Sequence, residues 1–146
     1  MYSLPSRVIF AGPAFAVLAV FATPAFADMV TYTAEMKGSS EVPPTDSQGS
    51  GTVAVTYDTA SKQLSWKGTY SGLTGAATAA HFHGPAEVGK NADVVIPITP
   101  VTSPVAGMAT LTESQAADLA AGKWYVNVHT AKYPKGEIRG QVVKGQ

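Results

Sequence analysis

The chain contains no cysteine. That excludes disulfides, thiolate metal sites and cysteine nucleophiles together, so any fold must be held by its core alone. Charge is also scarce and balanced, with ten basic and ten acidic residues among 146. No basic stripe runs along the sequence, which argues against nucleic acid as a partner. Histidine is rarer still, with three copies, and all of them lie in the second half. No G-x-S-x-G elbow, Walker motif or glycine-rich phosphate loop occurs, and no carboxylate pair stands in a glycosidase-like arrangement. The sequence therefore assigns no catalytic residue and favours binding over catalysis.

The one long apolar run is N-terminal. Arg7 precedes a stretch from Val8 to Phe21, and Ala25-Phe26-Ala27 supplies the small residues that signal peptidase reads. The run is too short to span a bilayer, which takes ~20 apolar residues, and Pro13 interrupts it. The expectation is a signal peptide over 1–27, cleavage after Ala27, and export to the periplasm or the medium. Residues 28–146 then form one domain large enough to bury its own core. Loss of Arg7 leaves one acidic residue in excess, and no second apolar span follows.

The remaining chain alternates apolar and polar residues in short runs. Val30–Met36, Thr52–Tyr57, Leu64–Tyr70, Ala76–His83, Val94–Ile98, Val105–Leu111, Trp124–His129 and Glu137–Val143 read as strands, separated by Gly, Pro, Ser and Asp. Pro97 marks an edge or a bulge. Thr112 with Gln115 three residues on forms a capping box for one helix over 113–121, and Gly122 follows as its stop. The pattern predicts an all-β, antiparallel Greek-key β-sandwich or barrel with one short helix.

The histidines carry the chemistry. Residues two apart on a strand share a face, so His81 and His83 point together while Phe82 turns to the core. In Trp124–His129 the apolar stripe is Trp124, Val126 and Val128, which leaves Tyr125, Asn127 and His129 on the other face. All three histidines thus fall on polar faces. If the two strands are neighbours, His81, His83 and His129 can meet as ligands of one transition metal. An all-imidazole set suits copper or zinc, and an exported location favours copper. By the same parity Glu137, Arg139 and Gln141 face outward as a solvated strand face. Arg139 can steer an anion or hold a loop, Glu137 can orient an imidazole, and Tyr133 and Asn127 sit at the rim. Trp66 and Trp124 belong to the core.

Three blocks together resemble the CHRD domain family: Ala79-Ala80-His81-Phe82-His83-Gly84-Pro85-Ala86, Trp124-Tyr125-Val126-Asn127-Val128-His129-Thr130, and Gly136-Glu137-Ile138-Arg139-Gly140-Gln141. The resemblance runs from about Tyr32 to Val143. It implies an exported β-sandwich and little about activity. A looser likeness links His81, His83 and His129 to copper ligands of copper–zinc superoxide dismutase, with Arg139 near that family's late arginine. The bridging fourth histidine, the zinc loop and the disulfide are missing. Three functions compete: an exported metal-binding protein, a metal-free module that binds another extracytoplasmic protein through loops 39–51 and 87–93, and a superoxide dismutase-like redox enzyme.

Overall fold

Alternating side chains let each strand bury one face, and the apolar stripes above become strands of a single antiparallel sheet. The computed structural model describes residues 28–145. The proposed signal peptide, 1–27, lies outside the described residues. The strands are β1 (Met29–Lys37), β2 (Ser50–Asp58), β3 (Gln63–Ser71), β4 (Ala77–His83), β5 (Val94–Pro97), β6 (Val105–Thr110), β7 (Tyr125–Thr130), β8 (Ile138–Gln141) and β9 (Val143–Lys144). One helix, α1 (Glu113–Ala120), joins β6 to β7, and a short 3-10 turn, Gly38–Ser40, follows β1.

The strand order is β5-β4-β7-β8-β1-β2-β3-β6, with β9 also paired to β1. Within it, β8-β1-β2-β3 has the order of a Greek key: three sequential strands, with a late strand returned beside the first. The sheet folds on itself, as the aromatic contacts show. Trp66 of β3 meets Phe82 of β4 edge to face, with centroids 5.4 Å apart and an interplanar angle of 71°, although these strands are not hydrogen-bonded neighbours. Phe82 also touches Trp124, at 6.0 Å. Around this trio lie Leu64, Val126, Val128 and Ile138, all buried. Both tryptophans are thus core residues, as expected.

Local chemistry sets the boundaries. Asp58 Oδ1 accepts from the N–H groups of Ala60 and Ser61, at 2.9 and 3.2 Å, and so closes the β2–β3 hairpin. The capping box forms in full: Thr112 Oγ1 accepts from the Gln115 N–H and Gln115 Oε1 from the Thr112 N–H. Gly122 adopts φ +71°, the left-handed stop. Pro97 lies on β5, at one end of the sheet.

One strand differs from expectation. The run Glu137–Val143 is divided at Val142, whose N–H donates to the Trp124 carbonyl at 2.9 Å and so extends the pairing of β8 with β7. Both pieces pair with β1 in one register, β8 through Arg139 opposite Lys37 and β9 through Val143 and Lys144 opposite Thr33 and Tyr32. Burial of Val142 fastens this point.

Because Phe82 joins both halves of the core, Phe82→Ala is expected to cost about 3–5 kcal/mol, the usual range for truncating a buried phenylalanine. Urea unfolding measures it. A loss below about 1 kcal/mol would mean that the two halves do not depend on this contact.

Candidate metal centre

Three adjacent strands build the polar face. β4 runs antiparallel to β7, with His81 opposite Asn127, Ala79 opposite His129 and His83 opposite Tyr125. β7 then pairs with β8, which sets Asn127 against Arg139. Parity puts His81, His83, Asn127 and His129 on one side, with Phe82, Val126 and Val128 on the other, in the core.

The structure brings all three histidines together. One ring nitrogen from each lies within 4.8 Å of the others, and this group can hold a metal ion. His81 Nδ1 is 3.1 Å from His129 Nε2. His83 Nε2 and His129 Nε2 each lie 3.0 Å from Asn127 Oδ1. The outer nitrogens meet main-chain carbonyls. His83 Nδ1 is 3.0 Å from Ala92 O, and His129 Nδ1 is 2.9 Å from Pro134 O. Both neighbours of each ring, a main-chain carbonyl and Asn127 Oδ1, are acceptors; in the neutral tautomer that donates to the carbonyl, Nε2 presents its lone pair inward. Metal-binding histidines are oriented in this way by a partner on the far nitrogen.

The face is not open strand surface. The segment 84–93 crosses it and is fastened at several points. The Gly84 N–H donates to Asp93 O at 3.2 Å, and the Tyr125 hydroxyl bonds both the carbonyl and the N–H of Ala92. Asn91 Nδ2 donates to Val42 O. His83 is consequently buried, at 8 % exposure, while His81 and His129 are half-buried. Its ring stacks on Tyr125, with centroids 4.6 Å apart and planes 4° from parallel.

Two strand residues read as solvated are instead buried. Arg139 is 2 % exposed. Its guanidinium lies 3.4 Å from the centre of the Tyr125 ring and donates to Asn91 Oδ1, at 2.9 Å, and to Lys90 O. It therefore holds the crossing segment and is not placed to steer an anion. Glu137 is fully buried but orients no imidazole. Its carboxylate accepts from Ser47 Oγ, Thr74 Oγ1, the Thr74 N–H and Thr130 Oγ1, at 2.5–2.8 Å. Burial raises its pKa, yet these four donors outweigh burial and hold it below the usual carboxylate range. It ties the loop after β1 to the β7–β8 turn. The loops 39–51 and 87–93 are thus fastened inward through these two side chains. Tyr133 does not join the histidines; its main chain builds the turn with Thr130 and Gly136.

Asn127 was expected at the rim and instead sits at the centre, 2 % exposed. Its place in the polar stripe Tyr125-Asn127-His129 was the available signal. Glu41 gave none, since it lies in an irregular loop. It is 5 % exposed, and its Oε1 has no hydrogen-bond partner. Burial raises its pKa, against the pull of Arg139, the Val42 N–H and the Asn127 amide. The imidazoles respond to the same burial. Desolvation lowers the pKa of His81, helped by His129 and His83. Desolvation also lowers that of His83, against hydrogen bonds to Ala92 and Asn127. Both rings are therefore neutral at pH 7, the form that binds metal.

Fold and site together define a small all-β domain with a histidine cluster on the outer face of its sheet. Residues 32–142 match the model of the CHRD domain, well over half of the chain, and the chain belongs to the CHRD domain family. No curated protein and no solved structure matches it. Among the described residues, no helix is long and apolar enough to cross a membrane.

The depressed histidine pKa values fix a pH dependence. A group that is harder to protonate when folded contributes stability above its unfolded pKa, near 6.5, and loses it as pH falls through the folded value. The melting temperature of the metal-free protein is thus expected to fall as pH drops from 7 towards 5, and less steeply in His83→Asn. Equal slopes in the two proteins would show that His83 does not carry the effect.

Proposed function

We propose that this chain is an extracytoplasmic CHRD-domain protein that binds one transition-metal ion through His81, His83 and His129. Copper is the favoured ion and zinc the alternative. The observation that carries the reading is geometric: one ring nitrogen from each histidine lies within 4.8 Å of the others, and the outer Nδ1 atoms of His83 and His129 sit 2.9–3.0 Å from main-chain carbonyls that orient the rings. Imidazole nitrogens suit both metals, and low histidine pKa values reduce competition from protons at neutral pH. Export after Ala27 is supported by the order of charge, apolar run and small residues in 1–27. The redox-enzyme reading loses its anion-steering group, since the donors of Arg139 are engaged by Lys90 and Asn91.

Titration with copper and with zinc, read by metal content and thermal shift, tests the proposal. One equivalent is expected. At a hundredfold excess over Kd, binding to the folded state alone adds about 2.7 kcal/mol of stability. His81→Ala is expected to lose the equivalent and the thermal shift together. Absence of binding at micromolar metal, or a His81→Ala variant that binds as tightly as the natural protein, would overturn it.

A further inference from the structure

The three imidazoles do not account for every inward atom of the cluster. Asn127 Oδ1 stands between His83 Nε2 and His129 Nε2, 3.0 Å from each. In the neutral tautomer that donates Nδ1–H to Ala92 O or Pro134 O, neither Nε2 nitrogen carries a proton. An amide oxygen is an acceptor as well. In that tautomer three acceptor atoms face one another, and His81 Nδ1 is a fourth ring or amide atom 3.1 Å from His129 Nε2. Asn127 is almost completely buried, so its oxygen is turned to the ring nitrogens and away from bulk water. A cation among these atoms would take all of them as ligands.

The spacing fits that role. Around a tetrahedral ion with bonds of about 2.0–2.1 Å, neighbouring ligand atoms are about 3.3 Å apart. Three of the separations here already stand at 3.0–3.1 Å: Asn127 to His83, Asn127 to His129, and His81 to His129. The other end of the amide explains why its oxygen turns inward. Asn127 Nδ2 and Glu41 Oε1 both crowd the space over Gly136, where a Cβ would collide with each of them. Glu41 Oε1 is an acceptor without a partner, and beside it the nitrogen end of the amide is favoured over the oxygen end. Gly136, at φ +126°, leaves the room that both groups occupy.

We propose that Asn127 Oδ1 is the fourth protein ligand of the metal, with Glu41 and Gly136 as positioning residues that keep the oxygen inward. The inference rests on the three-histidine reading and sharpens it in two ways. An oxygen beside three imidazole nitrogens selects a divalent ion, Cu(II) or Zn(II), over Cu(I), which prefers soft sulfur ligands. Four protein ligands also close a tetrahedral shell and leave no position for a substrate. The site then holds a metal and does not turn one over.

The test compares affinities for Cu(II), Zn(II) and Cu(I) by chelator competition, together with the Cu(II) paramagnetic resonance spectrum. Asn127→Ala is expected to weaken Cu(II) and Zn(II) by at least the 10- to 100-fold typical of disturbed metal-site partners. Cu(I) is expected to weaken less, and the Cu(II) hyperfine splitting to change. Asn127→Asp keeps an oxygen in place, adds negative charge, and is expected to bind the divalent ions at least as tightly as the natural protein. An Asn127→Ala protein with unchanged Cu(II) spectrum and affinity overturns the fourth ligand and leaves the histidine site standing. So does equal weakening of Cu(I) and Cu(II). Should Asn127→Ala fail to fold, loss of divalent binding by folded Asn127→Asp has the same force. A natural protein that binds no metal removes both readings.

Discussion

Phe82 is the constraint on which the site depends. Its ring is fixed between Trp66 and Trp124 by edge-to-face and tilted contacts, so the parity of β4 is not free. Shifting the strand by one residue would drive two imidazoles into an apolar core, and burying unpartnered polar groups costs several kcal/mol. With Phe82 inside, His81 and His83 must lie outside. The same rule acts on β7, where Val126 and Val128 go in and Asn127 and His129 come out. The register that sets His81 opposite Asn127 then brings residues 48 positions apart in sequence to within contact of one another. The geometry of the histidine cluster is in this sense a by-product of hydrophobic burial on the reverse of the sheet.

A polar sheet face that is also covered needs its own accounting. Charged residues are rarely buried without partners, yet Glu137 and Arg139 are among the most buried side chains here. Each is satisfied by local donors or acceptors, and neither by an ion of opposite sign within bridging distance. Glu137 collects hydroxyls and one N–H from three loops and strands, and Arg139 collects a carbonyl, an amide and an aromatic face. In a chain without disulfides these two side chains take the place of covalent staples. They fix the loop after β1 and the segment 84–93, and that segment in turn supplies the Ala92 carbonyl that orients His83. Order passes from the core to the strands, from the strands to the buried charges, and from the buried charges to the loops around the site.

Periodicity made the faces legible in the sequence, and chemistry hidden in loops made the rest illegible. Strand positions, the helix with its cap, the edge position of Pro97 and the shared face of the three histidines all follow from local pattern, because each depends on residues within one turn or one strand. Burial of Arg139 and Glu137 does not follow, since outward parity says nothing about whether a loop will later cross that face. The same blindness left Asn127 at the rim. Nothing in its own strand reveals that Ala92 and Pro134 fix the imidazole protons. Glu41, set in an irregular loop beside a glycine nearly a hundred residues away in sequence, could be placed only by tertiary structure.

The division of labour between the two nitrogens of His83 and of His129 bears on what such a site is for. A surface histidine pair left to itself keeps both nitrogens wet and changes tautomer freely. Here the outer nitrogens are committed to the main chain, at 2.9–3.0 Å, so the inner ones have lost the choice. That commitment restricts ring motion and spends the only proton a neutral imidazole owns. In that tautomer Asn127 Oδ1 faces nitrogen lone pairs, and a positive charge in the middle would draw all of these atoms to it. Two other ways of supplying charge are weak at neutral pH. Protonating an imidazole is opposed by burial at His81 and His83, and the one nearby guanidinium is turned towards Lys90 and Asn91. A metal ion bound there, as proposed, would link β4, β7 and the covered loop at a single point.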